Sequence, residues 1–170
     1  MILVVADTSP IHYLVLIEAV QVLPQLFDRV VIPQAVLAEL SHAHAPACRS
    51  GLGRCAASRA EVRTAARVDL AGVLDPGEAE AIALAQELGA DSVLLDELEG
   101  REEALRRGLP VAGTVGVLER AAERGFISLP QALQRLGQTN FHITHELLQQ
   151  ALARDAARRQ RHERERGLER

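Results

Sequence analysis

Lysine is absent from this chain, and all 19 of its Lys-plus-Arg positions are arginine. The absence removes the amine needed for Schiff-base chemistry and the phosphate-gripping lysine of Walker-type nucleotide sites. Tryptophan is absent too, and one Tyr and three Phe make up the whole aromatic complement. The core must therefore be aliphatic, and few rings are on hand to stack against nucleobases. Two cysteines, Cys48 and Cys55, are too few for a disulfide framework and argue for no redox chemistry. No apolar run approaches the roughly 20 residues of a membrane span, and no basic leader with a cleavage site is recognisable. The expectation is a cytoplasmic protein with no membrane partner.

What is present suits one globular core: 170 residues, 48% hydrophobic and 25% charged. The net charge of −4 hides an asymmetry. From Gln150 onward seven Arg face four acids, a local balance of +3, which leaves −7 for the body. A basic tail beside an acidic body fits a protein that attracts phosphates in one place and holds cations in another. The final residues, ARDAARRQRHERERGLER, also read as a solvated terminal helix, because they carry no apolar stripe with which to dock.

The opening, MILVVADTSP, runs apolar from Ile2 to Ala6 and stops at Asp7. A run without alternation suits a strand buried on both faces of a parallel sheet. Further strands are expected at Arg29–Ile32, Ser92–Leu95 and Leu109–Ala112. Helices are expected at His12–Phe27, Gln34–Ala43, Ala57–Val68, Glu78–Leu88, Glu99–Arg107, Val115–Arg124, Leu129–Leu136 and from Glu146 onward. Strands alternating with helices make an α/β fold: a central, mostly parallel sheet of about four to five strands flanked by helices, with a helical C-terminus.

In such sheets ligands sit beyond the carboxyl ends of the strands, which is where Asp7 lies. Asp7 would equally cap the helix that follows. Asp96 ends the apolar SVLL run in the same way. Glu39 shares part of the inward face of the helix opened by Pro33. Glu78 lies near an apolar helix face, although Asp75, Pro76 and Glu78 also spell a capping box, and spacing does not choose between Glu78 and Glu80. Two strand-end aspartates and two helix-borne glutamates meeting in one cleft would repel unless a cation neutralised them. Oxygen-only ligands select a hard ion, Mg²⁺ or Mn²⁺. That chemistry positions water and offsets charge at a phosphodiester. A second constellation, His42, His44, Cys48 and Cys55, has zinc-ligand chemistry, but its spacing matches no familiar finger or ribbon. His142 and His145, in HITH, lack the glutamate and spacing of a zinc hydrolase and read as surface histidines.

Several ordered blocks, VVADTSPIHYL, VVIPQAVLAEL, LDPGEAEAIALAQELGADSVLLDE and GLPVAGTVGVLERAAERGFI, resemble the PIN-domain ribonucleases. The likeness is nearest to a branch related to the VapC toxins of prokaryotic toxin–antitoxin pairs. The resemblance implies a single PIN-like nuclease domain over residues 1–150, followed by an Arg-rich helix or flexible tail over 151–170. It assigns the four acids to Asp7, Glu39, Glu78 and Asp96, as catalytic residues and as ligands of Mg²⁺ or Mn²⁺, and so chooses Glu78 over Glu80. It makes Thr8, Ser9 and Thr114 accessory. Arg101 near the cleft and the arginines from Arg154 onward are expected to hold the phosphate backbone. Glu97 and Glu99, in the acid-rich ELEGREEA block, are either further ligands or helix-start acids facing solvent. The third acid departs from the commonest pattern, being Glu where many relatives place Asp.

The implied activity is a metal-dependent endoribonuclease, the toxin or a toxin-like component of a toxin–antitoxin pair. Its implied partners are an RNA substrate, a small antitoxin protein and a second copy in a homodimer. A catalytically silent PIN-fold module for RNA or protein binding is the alternative. A phosphohydrolase of small phosphate esters shares the strand-end aspartates but fits the helix-borne glutamates less well.

Overall fold

The computed structural model describes residues 1–42, 60–70 and 72–168. These fall into two compact units, Met1–Thr114 and Val115–Arg170. In the first unit five strands form one parallel sheet in the order β3-β2-β1-β4-β5, namely β1 Leu3–Ala6, β2 Arg29–Pro33, β3 Ala60–Arg63, β4 Ser92–Leu94 and β5 Val111–Ala112. Helices α1 Thr8–Leu16, α2 Leu23–Leu26, α3 Gln34–His42, α4 Pro76–Leu88 and α5 Leu98–Arg106 connect them, and α6 Thr114–Glu123 starts at the last residue of the unit. The second unit continues α6 and holds α7 Leu129–Leu136 and α8 His145–Leu168.

β1 is central, as its unalternating sequence requires. Its four residues are buried, with Val4, Val5 and Ala6 at zero exposure. It pairs with β2 through Val4↔Val30 and with β4 through Ala6↔Leu94. Leu3, Val5, Val31, Val93 and Leu95 share one core cluster with Ile82, Leu84 and Ala85 of α4 and Ala104 of α5. The alternate strand residues Val4, Val30 and Leu94 point to the opposite face and are equally buried. Chain direction across the sheet reverses at β1, because β2 and β3 lie on one side and β4 and β5 on the other. A crevice forms at the carboxyl end of such a switch point.

Two expected helices are corrected. Within Ala57–Val68, residues Ala60–Arg63 form β3, paired in parallel with β2 from Val30↔Ala60 to Pro33↔Arg63. The open edge of β2 decides the local structure over helix propensity, and Glu61 bridges Arg29 at 2.7 Å and Arg63 at 2.6 Å. The expected His12–Phe27 helix starts earlier, at Thr8, and breaks after Leu16 into a 3₁₀ turn at Val20–Val22 and the short α2. Glu18 causes the break by adopting φ 58°, a left-handed value rare outside glycine, so that Ala19 N–H donates back to Leu14 O at 2.7 Å. The other expected strands and helices are present within a few residues of their expected ends. His44, Cys48 and Cys55 lie outside the described residues, as does the side chain of His42.

Glu80, on the second turn of α4, is a structural acid. It is buried and accepts the Ala35 N–H at 2.7 Å and the Ala65 N–H at 3.1 Å. It thereby ties α4 to the head of α3 and to the segment leaving β3. Glu80→Ala is expected to lower unfolding free energy by about 2–3 kcal/mol, because it strands two backbone donors that now bond a carboxylate. Urea denaturation followed by circular dichroism checks this, and a loss below about 0.5 kcal/mol would contradict the assignment.

Candidate active site

The carboxyl ends of β1 and β4 and the first turn of α4 surround a cleft of ≈ 760 Å³ in the first unit, lined by Asp7, Thr8, Ser9, Glu39, Asp75, Glu78, Glu97 and Glu99 among others. Val73 and Leu98 stand exposed on the same lining. Three of the four acids singled out in the sequence, Asp7, Glu39 and Glu78, therefore meet in one space. Asp96 follows β4 in the same way that Asp7 follows β1, but it is not among the residues lining this cleft.

Asp7 is held in place by β-sheet geometry. Its own N–H donates to Leu94 O at 3.1 Å, which extends the β1–β4 ladder to the strand end. Asp7 is the N-cap residue of α1; its carboxyl makes no geometrically complete capping hydrogen bond, although the first N–H groups of the helix, those of Thr8 and Ser9, act on it. Burial pushes the Asp7 carboxyl up to about 7, and the charges of Glu78 and Glu39 add to the rise against the opposing N–H groups of Thr8 and Ser9. Glu39 is better satisfied. Its Oε1 accepts the Gly77 N–H at 3.0 Å, and its Oε2 accepts the Thr8 hydroxyl. The Thr8 hydroxyl thus fixes the Glu39 carboxylate.

Glu78 is the anomaly. It is buried at the start of α4, and its Oε1 has no hydrogen-bond partner among the described residues. Burial raises its pKa first, followed by the Asp75 charge; the Asp75 N–H opposes the rise, and the charges of Glu97 and Glu99 add to it. A buried unsatisfied carboxylate oxygen is costly, and such atoms concentrate where function requires them. The contrast with Glu80, fully partnered two residues away, separates the two glutamates that helical spacing left equivalent.

Asp96 is locked from two sides. Thr114 donates its N–H to Oδ1 and its hydroxyl to Oδ2, both at 2.7 Å. Burial raises the Asp96 pKa, while these hydrogen bonds and the nearby Arg101 charge oppose the rise. The Arg101 guanidinium donates to Leu95 O at 2.8 Å, so it is turned toward the strand end. Asp96 and Glu97 also raise the pKa of Tyr13, after burial.

Glycines that carried no weight in the sequence reading set the spacing. A Cβ at Gly77 would lie 2.9 Å from both Asp7 Oδ1 and Glu39 Oε2. One at Gly100 would lie 2.6 Å from Glu78 Oε1, and one at Gly113 would lie 2.9 Å from both Asp96 Oδ1 and Arg101 Nη1. Each acid therefore has a glycine where any side chain would displace it. The signal was present in PGEAE, LEGRE and VAGTV, but it is visible only once the acids are placed.

The donor set facing the cleft is all oxygen, which suits a hard divalent cation. Among the described residues, no three His, Cys, Asp or Glu side chains stand ready as a ligand set, so Asp7, Glu39 and Glu78 would have to draw closer to hold one. Among the described residues, no helix is long and apolar enough to cross a membrane.

Comparison with known proteins places these features in context. The sequence pattern of the family DUF3368, a PIN domain, matches residues 3–156. Among solved structures, a PilT N-terminus domain protein, SSO1118, from the hyperthermophilic archaeon Sulfolobus solfataricus P2 is similar at 16% identity and a TM-score of 0.44, over 85% of this chain and 100% of that one. No curated protein matches.

In the cation-free protein, folded Asp7 keeps its proton up to about pH 7, whereas the unfolded chain releases it near 3.8. The folded state binds more protons across that window, so this group makes stability fall as pH rises through it. Asp7→Asn is expected to remove a slope of at most about 1.4 kcal/mol per pH unit and to raise the melting temperature at pH 7 in the presence of chelator. Parallel stability–pH curves for the two proteins would contradict the buried, proton-holding Asp7.

Proposed function

Because the chain belongs to the PIN-domain family over residues 3–156, we propose that it is a metal-dependent endoribonuclease that hydrolyses RNA phosphodiesters in the cleft at the end of β1. The observation that carries this reading is Glu78 Oε1, buried and unpartnered in a space shared with Asp7 and Glu39. A structural module has no reason to leave that oxygen unsatisfied beside two other acids.

In this reading Asp7, Glu39 and Glu78 hold Mg²⁺ or Mn²⁺, and Asp96 is the fourth carboxylate at the neighbouring strand end. When bound, the cation supplies positive charge that offsets the carboxylates and the phosphate under attack. Glu78 Oε1 has a free lone pair to accept the proton of the attacking water, and its raised pKa favours that proton. Thr8 keeps Glu39 oriented through its hydroxyl. Thr114 and Arg101 keep Asp96 oriented and partly compensated at the strand end. Ser9 and Glu99 line the approach.

The resemblance to VapC-type sequences further suggests a cytoplasmic toxin or toxin-like component. A small antitoxin would then block this cleft, and the toxin would be a homodimer. A second reading, a catalytically silent PIN-fold module that binds RNA or protein, is favoured by one observation: no ready three-ligand set exists among the described residues.

The test is cleavage of a pool of unstructured RNAs with Mn²⁺ or Mg²⁺ in the presence and absence of chelator. Asp7→Asn and Glu78→Gln are each expected to slow cutting by at least about 100-fold, the typical contribution of a positioned acid–base group. Gly100→Ala, which substitutes none of the acids, is expected to slow it as well by displacing the Glu78 carboxylate. Folded wild-type protein that binds RNA but leaves it uncut with either metal would favour the silent module.

A further inference from the structure

The second unit contains a cavity that the acidic cleft does not explain. It measures ≈ 400 Å³ and lies between the end of α6, the start of α7 and one face of α8. Its polar lining is Glu123, Arg124, Ser128, Asp155, Arg158, Arg159 and His162. Asp155 organises it. This carboxylate is 3% exposed, and its Oδ1 and Oδ2 accept hydrogen bonds from Arg158 and Arg159 respectively. Arg158 is itself mostly buried and reaches Glu123 at 3.4 Å.

A guanidinium has five N–H donors, so a shared carboxylate fixes these two groups without exhausting them. Arg159 remains 54% exposed. The Arg124 side chain is exposed and has no partner among the described residues. His162 Nδ1 lies 3.6 Å from Glu165 Oε2. Ser128 makes no capping bond at the head of α7, which leaves its hydroxyl available. Three arginines against Asp155 and Glu123 leave one positive charge uncompensated. Planar guanidinium forks match the oxygens of carboxylate and phosphate bidentately, and three guanidiniums converging from different directions suit the several oxygens of a phosphate. The volume lies within the range of small-ligand sites.

We propose that this cavity binds a phosphate group through Arg124, Arg158 and Arg159. Asp155 is the positioning residue that presents two of the three. The phosphate comes either from the backbone of a nucleic-acid chain or from free phosphate. The proposal does not depend on the cleavage reading of the first unit.

The experiment uses the full chain in chelator, where a metal-dependent cut cannot occur. Fluorescence anisotropy measures binding of a labelled single-stranded RNA, and thermal shift measures the response to inorganic phosphate. The double variant Arg124→Gln/Arg159→Gln keeps a hydrogen-bond donor beside Asp155. It is compared with Arg161→Gln/Arg164→Gln, which removes the same charge from exposed positions on α8 outside the cavity. The expected result is a loss of affinity of about tenfold in the first variant against about twofold or less in the second. Loss confined to RNA identifies the chain backbone as the source, and loss confined to the phosphate shift identifies free phosphate. Equal weakening in both variants, or no binding of either probe by the wild type, overturns the site. Melting temperature without ligand verifies that both variants are folded.

Discussion

Burying carboxylates at the end of a parallel sheet is the constraint around which the first unit is arranged. β1 is apolar on both faces because helices and neighbouring strands cover both, and the same cover removes water from the first polar residue after it. Asp7 consequently sits where desolvation disfavours its charge, and Glu78 and Glu39 add repulsion. Each further acid is handled differently. Glu39 is stabilised by a hydroxyl and an N–H, and Asp96 by Thr114. Of these acids, Glu78 has a buried oxygen, Oε1, with no hydrogen-bond partner among the described residues. The distribution is uneven in a way that a purely structural network would not require, and it concentrates the unmet demand for positive charge on one side of the cleft.

Much of this was legible in the residues. An unalternating apolar run ending in Asp specifies a buried strand with an acid at its carboxyl end, and Ile2–Ala6 and Ser92–Leu95 both obeyed that rule. The strand–helix alternation sufficed for the α/β class and the parallel sheet. β3 was hidden because the alternation in AEVR lasts only four residues and carries a single β-branched side chain, Val62, so its strand character comes from the edge of β2. The break after Leu16 was hidden because Glu18 is not a residue that announces a left-handed turn. At the site, periodicity could bring Glu78 and Glu80 to the same helix but could not tell them apart. The difference lies in two backbone N–H groups, those of Ala35 and Ala65, that come from distant segments.

The second unit illustrates a different route to order. α8 has no apolar stripe, yet Ala151 and Asp155 are buried, and Arg154 and Arg158 reach Glu119 and Glu123 on α6. Matching one-turn spacings on the two helices let the pairs repeat, so a sequence that reads as a solvated helix docks through small residues and charge. With no lysine in the chain, every such contact falls to a guanidinium, whose several donors can serve two partners at once.

The glycines beside the acids carry a consequence for how variation in this chain should be interpreted. Alanine at 77, 100 or 113 would leave Asp7, Glu39, Glu78 and Asp96 all intact on paper while forcing at least one of them out of position. Loss of the cleft can thus arise silently, from neutral-looking changes at uncharged positions. A chain can keep the full acidic signature and be inert, and the glycines are where to look for the difference between a living site and a relic.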